Sequence, residues 1–136
     1  MTRSEMNKLT PLLTVESIEP CLPFWVERLG FAKTVEVPDG NSLGFVILAK
    51  DGVEIMYQSR ASVEKDIPPM GRGTSTGLPA MGLFIEVGNI DEVERSLVGI
   101  EHVIPRRRTF YGMDEVVVRE PGGYVIVFAQ PVAANA

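Results

Sequence analysis

Two stretches decide the fold: Pro11-Leu12-Leu13-Thr14-Val15-Glu16-Ser17-Ile18, leading to Phe24-Trp25 and Leu29-Gly30-Phe31, and Phe84-Ile85-Glu86-Val87, leading to Asn89-Ile90-Asp91. The first opens on a short apolar run, residues 9–15, that reads as a strand; Pro11, having no amide hydrogen for a sheet ladder, marks its entry or edge. Leu22, Trp25, Val26 and Leu29 follow at i, i+3, i+4 and i+7, the apolar stripe of a helix, and Gly30 is placed to end it in the left-handed conformation. The second stretch repeats this order. Residues 81–87 read as a strand, Asn89 as a helix N-cap with Glu92 three residues on, and Ile90, Val93 and Leu97 as one apolar helix face closed by Gly99.

Outward from these, residues 31–37, 42–49 and 53–58 are β-rich and separated by Pro38-Asp39-Gly40-Asn41 and Asp51-Gly52, both strong turn signals. In the second half, residues 101–104, 114–119 and 124–130 read as three further strands. Val15 and Val87 lie 72 residues apart and Gly52 and Gly123 lie 71 apart, so the halves keep register as an internal duplication. The expected fold is α+β, two βαβββ modules forming a curved mixed sheet around a pocket. Residues 1–8 are expected to be a flexible N-terminus and 9–130 a single domain, with modules at about 9–58 and 81–130 and a tail at 131–136. Residues 59–80 read as a linker, holding Pro68, Pro69, Pro79, Gly71, Gly73 and Gly77. Within it, Gly71-Arg72-Gly73-Thr74-Ser75-Thr76-Gly77 is glycine-rich like a phosphate loop, but no Lys precedes a Ser or Thr and it leads into a strand, so phosphate binding is discarded.

A chain of 136 residues, 45% hydrophobic and 23% charged, suits one core. Its 13 basic against 18 acidic residues give a net charge of −5, which argues against nucleic acid as a partner. A single cysteine, Cys21, excludes an intrachain disulfide and fits a reducing, cytoplasmic setting. No apolar run approaches the roughly 20 residues of a membrane helix, and the first eight residues lack the apolar stretch of a secretory signal. With one histidine, His102, imidazole-rich metal sites and Ser-His-Asp or Cys-His catalysis have at most one member available.

The pattern resembles the vicinal oxygen chelate superfamily of glyoxalases, extradiol dioxygenases and bleomycin-resistance proteins. It rests on the two opening stretches and on Tyr111-Gly112-Met113 followed by Glu120-Pro121-Gly122-Gly123-Tyr124-Val125-Ile126, similar to that superfamily's closing hairpin. The resemblance implies that metal-dependent members hold an ion with one residue from the first and one from the last strand of each module, usually His, Gln or Glu. Here those positions fall at Thr10, Met56, Gly82 and Val127, which offer a hydroxyl, a thioether, no side chain and an isopropyl group. Such a set cannot supply the donors that Zn, Ni, Fe or Mn requires, so no metal and no cofactor is expected. The resemblance also implies a homodimer with pockets near the subunit contact.

Strand alternation places Thr10, Leu12, Thr14, Glu54, Met56, Gln58, Phe84, Glu86, Val125 and Val127 on the pocket face, and Leu83, Ile85, Val87, Ile126 and Phe128 beneath the helices. The lining is mostly apolar with two acids and suits a small organic ligand. Candidate ligand contacts are Thr10, Leu12, Met56, Gln58, Phe84, Arg107, Phe110, Tyr111 and Val127; the last group draws on Arg106-Arg107-Arg108, read as a loop before the closing hairpin. Tyr57, by its parity, is expected in the core, Cys21 to be buried, and His102 to lie on the surface. The first functional expectation is a metal-independent binding protein that sequesters an antibiotic or another organic molecule. The alternative is a lyase, isomerase or dioxygenase with ligands at shifted positions and Glu54 or Glu86 as general base.

Overall fold

The computed structural model describes Arg3 and residues 7–67 and 81–132. Module one comprises β1 (Leu12–Val15), a 3-10 turn (Glu19–Cys21), a π-helical segment (Pro23–Arg28), β2 (Ala32–Asp39), β3 (Ser42–Lys50) and β4 (Val53–Ser59), followed by α1 (Arg60–Asp66). Module two comprises β5 (Gly82–Glu86), α2 (Ile90–Ser96), β6 (His102–Arg108), β7 (Met113–Arg119) and β8 (Val125–Pro131). The sheets have the same order, β1-β4-β3-β2 and β5-β8-β7-β6. In each, the first strand runs parallel to the last and the others are antiparallel. This is the expected two-module α+β architecture.

The register confirms which residues of the halves correspond. Leu12 pairs with Met56 and Phe84 with Val127, and the β3–β4 and β7–β8 turns are pivoted on glycines in the left-handed region, Gly52 at φ 83° and Gly123 at φ 95°. One face of both sheets feeds a single core: Leu13, Val15, Val46, Leu48, Ile55 and Tyr57 join Val116, Val118, Ile126 and Phe128 around Phe24, Trp25 and Leu97. Trp25 meets Phe24 and Phe31 edge-on at 4.9 and 5.0 Å, an arrangement worth about 0.5–1.5 kcal/mol per pair beyond burial.

Several elements differ from the sequence reading: β1 begins at Leu12 and not at residue 9, and β6 runs on to Arg108. The first helix is a 3-10 turn followed by a π-helical segment: Pro23 has no amide with which to bond back to Glu19, so one regular helix cannot run through from the turn. Gly30 at φ 80° ends it as expected. Part of the segment read as a linker is α1, capped by Ser59 Oγ, which accepts from the Ser62 amide at 3.2 Å. The helix is short and one apolar residue, Val63, anchors it, so it leaves too little periodicity to read. The Gly71–Gly77 stretch lies outside the described residues. Asn89 caps α2 as expected, its Oδ1 accepting from the Glu92 amide at 3.1 Å. Among the described residues no helix is long and apolar enough to cross a membrane.

Candidate functional site

Directly paired residues share a sheet face, so the faces turned away from the core can be assembled from the register. On module one these are Leu12 and Thr14, Met56 and Gln58, and Phe45 and Ile47. On module two they are Phe84 and Glu86, Val127 and Ala129, Glu115 and Val117, with Arg107 beside Glu115. The expected strand residues of the pocket therefore fall on the predicted face of each sheet, in two groups, except Thr10, which precedes β1. Met56 and Val127 line neither the cleft at the β3–β4 turn nor the one beside Gly122 and Tyr124.

Charges on these faces are mostly neutralised locally. Glu54 binds Lys8 Nζ at 2.7 Å and accepts from Thr10 Oγ1 at 3.2 Å. The Lys8 ammonium, helped by Thr10, holds its carboxyl below the usual carboxylate range, the opposite of what a general base at neutral pH needs. Glu86 is exposed and belongs to a different sheet from Glu54. Gln58, 4% exposed, spends its amide on Ser62 Oγ at 3.1 Å and Asp66 Oδ2 at 3.3 Å, so α1 covers it.

Glu115 was not singled out in the sequence. It is 1% exposed, yet both oxygens are satisfied: Oε1 accepts from Arg107 Nε at 3.2 Å and Oε2 from the Tyr111 hydroxyl at 2.6 Å. That bond pushes the Tyr111 hydroxyl pKa up, keeping the ring a neutral donor fixed in place. Phe110, fully exposed, meets Tyr111 edge-on at 5.1 Å, and Phe84 is 55% exposed. Arg107, Tyr111, Phe110 and Phe84 thus present aromatic faces and one guanidinium with a half-exposed side chain. Only the alternation within residues 113–119 could have flagged Glu115, since it places the carboxylate on the face of Val117.

The three arginines lie in strand β6, not in a loop as read, because the hairpin begins only after Arg108. Alternation then separates them. Arg106 turns away from Arg107 and binds Asp91 at 2.6 Å, Glu94 at 3.0 Å and Asp114 at 2.9 Å, pinning α2 to the sheet. His102 is exposed beside the Ile100 carbonyl, and Cys21 is buried, as expected.

A second buried carboxylate, Glu120, joins the modules. Trp25 Nε1 donates to the Tyr57 hydroxyl at 2.8 Å, Tyr57 donates to Glu120 Oε2 at 2.6 Å, and Glu120 Oε1 accepts the Tyr124 amide at 2.7 Å. Burial, with Glu120 adding to it, pushes the Cys21 thiol up to about 12 and raises the Tyr57 hydroxyl as well. Trp25, Cys21, Tyr57 and Glu120 are buried and structural, whereas Tyr124 also lines a cleft with Thr14, Val15 and Gly122.

Among the described residues no three His, Cys, Asp or Glu side chains gather into a group able to hold a metal ion. Met56 and Val127 occupy the strand positions that the resemblance assigns to metal ligation, and a thioether and an isopropyl group do not suit Zn, Ni, Fe or Mn. The chain has the fold of the glyoxalase/bleomycin resistance protein/dioxygenase superfamily. A family enzyme of that description from Burkholderia phytofirmans superposes with a TM-score of 0.72 at 14% identity, covering 90% of this chain and 97% of that one. TioX from Micromonospora gives 0.69 at 16%, covering 93% and 100%. The bleomycin-binding protein of Streptomyces verticillus, solved with copper(II)-bleomycin, gives 0.61 at 18%, covering 93% and 97%. No family model and no curated protein matches the sequence.

Proposed function

We propose that the protein is a metal-independent binder of small organic molecules, its site built on the open sheet faces and completed by a second copy of the chain. The observation carrying this reading is the chemistry of the open face of module two. There, Phe110 and Tyr111 expose ring surface on the side of Arg107 and Phe84 does so on the opposite edge strand, while the ligand-bearing strand positions hold Met56 and Val127. Aromatic faces and a guanidinium recognise planar, unsaturated ligands by stacking and cation–π contact, each worth about 0.5–2 kcal/mol. Exposed Val35 and Val37 on edge strand β2 extend the apolar surface, as a face awaiting a partner would. The bleomycin-binding structure among the fold neighbours supports sequestration as the role, and the lone cysteine is in keeping with a reducing, cytoplasmic setting.

The test is elemental analysis of purified protein, light scattering, and calorimetric titration with copper(II)-bleomycin and a panel of planar aromatic acids and amines. The expected result is substoichiometric metal, a dimer, and saturable binding of at least one panel member that Phe84→Ala weakens tenfold or more. One tightly held equivalent of Ni, Zn, Fe or Mn overturns the metal-independent reading. Binding unaffected by Phe84→Ala and Tyr111→Ala overturns the site.

A further inference from the structure

The duplication creates two junctions between the modules, and a side-chain hydrogen bond bridges only one of them. In each, the turn joining the last two strands of one module meets the end of the first strand of the other. Ladder continuity sets the correspondence: Lys50 pairs with Val53 across the first turn, and Glu120 N donates to Tyr124 O at 2.9 Å across the second. Lys50 thus corresponds to Glu120 and Val53 to Tyr124. At the second junction the Tyr124 hydroxyl donates to the Thr14 carbonyl at 2.8 Å, and Gly122 sits so close that a Cβ there would come within 2.7 Å of Val15. At the first, Val53 has no hydroxyl with which to bridge the gap to β5.

What remains is a cleft of about 580 Å³ between the end of the π-helical segment, the β3–β4 turn, the end of β5 and α2, within the size range of organic-ligand sites. Its apolar lining includes Phe31, Val53, Ile85, Val87, Val93 and Phe128. Four carboxylates, Glu27, Asp51, Glu86 and Glu92, face two cations, Arg28 and Lys50. Arg28 Nη1 is engaged by the carbonyls of Ser96 and Val98 at 3.4 and 2.8 Å, and Lys50 lies 3.5 Å from Asp51. Glu27, Glu86 and Glu92 have no side-chain partner among the described residues.

We propose that this open junction is a second ligand site, distinct from the open sheet faces, which takes a small amphipathic organic cation: its ammonium group drawn to the surplus of carboxylates along the cleft, Glu27, Glu86 and Glu92, and its hydrocarbon body on the apolar lining. An anionic ligand of the same shape is repelled by the surplus carboxylates. The site explains why Glu86, aligned with the sheet-face residues, belongs by contact to a different cleft.

The test is an amide chemical-shift titration of the full chain with 4-phenylbutylammonium, using 5-phenylpentanoate as the shape-matched anion. The expected result is saturable shifts at Gly30, Val53, Gly88 and Asn89, at least fivefold weaker for the anion and at least fivefold weaker in the Glu27→Gln/Glu86→Gln/Glu92→Gln variant. Val53→Tyr, which restores the residue type of the bridged junction, abolishes the shifts while leaving Met56 and Val127 amides undisturbed. Absence of shifts at 10 mM, shifts confined to Met56 and Val127, or equal binding of the anion overturns the proposal. Because the readout separates the two surfaces, loss of the sheet-face site leaves this one standing, and the reverse holds.

Discussion

The two inter-module junctions have corresponding backbones and different side chains, and the difference shows what holds the halves together. At the bridged junction a buried carboxylate is surrounded by donors from both modules: the Tyr57 hydroxyl from β4, backed by Trp25, and the Tyr124 amide from module two. At the open junction the corresponding position is Lys50, its side chain 45% exposed and its ammonium 3.5 Å from a solvent-facing Asp51. A buried hydrogen-bonded network is costly to break because each deletion strands a partner without water, whereas an exposed ion pair contributes ~0–1 kcal/mol. Cohesion of the duplicated fold is therefore lopsided, with specificity concentrated at one junction and the larger of the two junction clefts left at the other.

The sharpest way to break this comparison is Tyr57→Phe. It removes one oxygen and leaves Trp25 Nε1 without an acceptor and Glu120 Oε2 without its donor in the core. Two stranded groups should cost roughly 3 kcal/mol, lowering Tm by about 10 °C in a thermal melt. A drop under 3 °C would mean that water or relaxation replaces the network and that the bridge is not what joins the modules.

Next in size is a paired glycine test. Gly122→Ala puts a methyl 2.7 Å from Val15 Cγ1 and 2.9 Å from Glu120 Oε1, so overpacking should cost about 1–3 kcal/mol. Gly52→Ala meets no atom within 4 Å but must hold φ near 83°, a strain of about 1–2 kcal/mol. Chemical denaturation distinguishes the causes: adding Val15→Ala should recover part of the Gly122→Ala loss and none of the Gly52→Ala loss.

Most of the architecture was legible in the sequence because duplication doubles every signal. Gly52 and Gly123, the Asn89 cap and the alternation around Leu12, Met56, Phe84 and Val127 each have one local cause and appear where expected. The junctions were not legible. Glu120 reads as a hairpin residue and Tyr57 as plain core, since nothing local says that residues 63 positions apart share a proton. The candidate site was half legible for the same reason. Parity assigns each residue a face of its own sheet, but whether two faces enclose one cavity depends on how the sheets are placed, which no periodicity encodes.

Alkaline pH sharpens the same contrast. The folded state holds the Cys21 proton up to about 12, against an ordinary thiol value of 9.0, and the Tyr57 hydroxyl is raised in the same direction. The folded chain then binds more protons than the unfolded chain above pH 9, so this contribution to stability is complete below 9 and is lost as pH rises toward 12. Each such group accounts for at most about 1.4 kcal/mol per pH unit. In denaturant melts at pH 8, 9 and 10, Cys21→Ala should flatten the decline, and an unchanged slope would place the alkaline sensitivity away from the bridged junction.

The smallest expected effect tests the other half of the comparison. Lys50→Ala removes a half-exposed ammonium whose partner, Asp51, is itself 82% exposed, so stability should change by no more than about 0.5 kcal/mol. Glu120 occupies the corresponding ladder position, where removing the carboxylate would strand both a hydroxyl and an amide. If Lys50→Ala proved as damaging as Tyr57→Phe, the two junctions would be energetically alike despite their different contacts. Lopsided cohesion would then have to be abandoned in favour of strength spread along the shared core of Leu13, Tyr57, Val116 and Phe128.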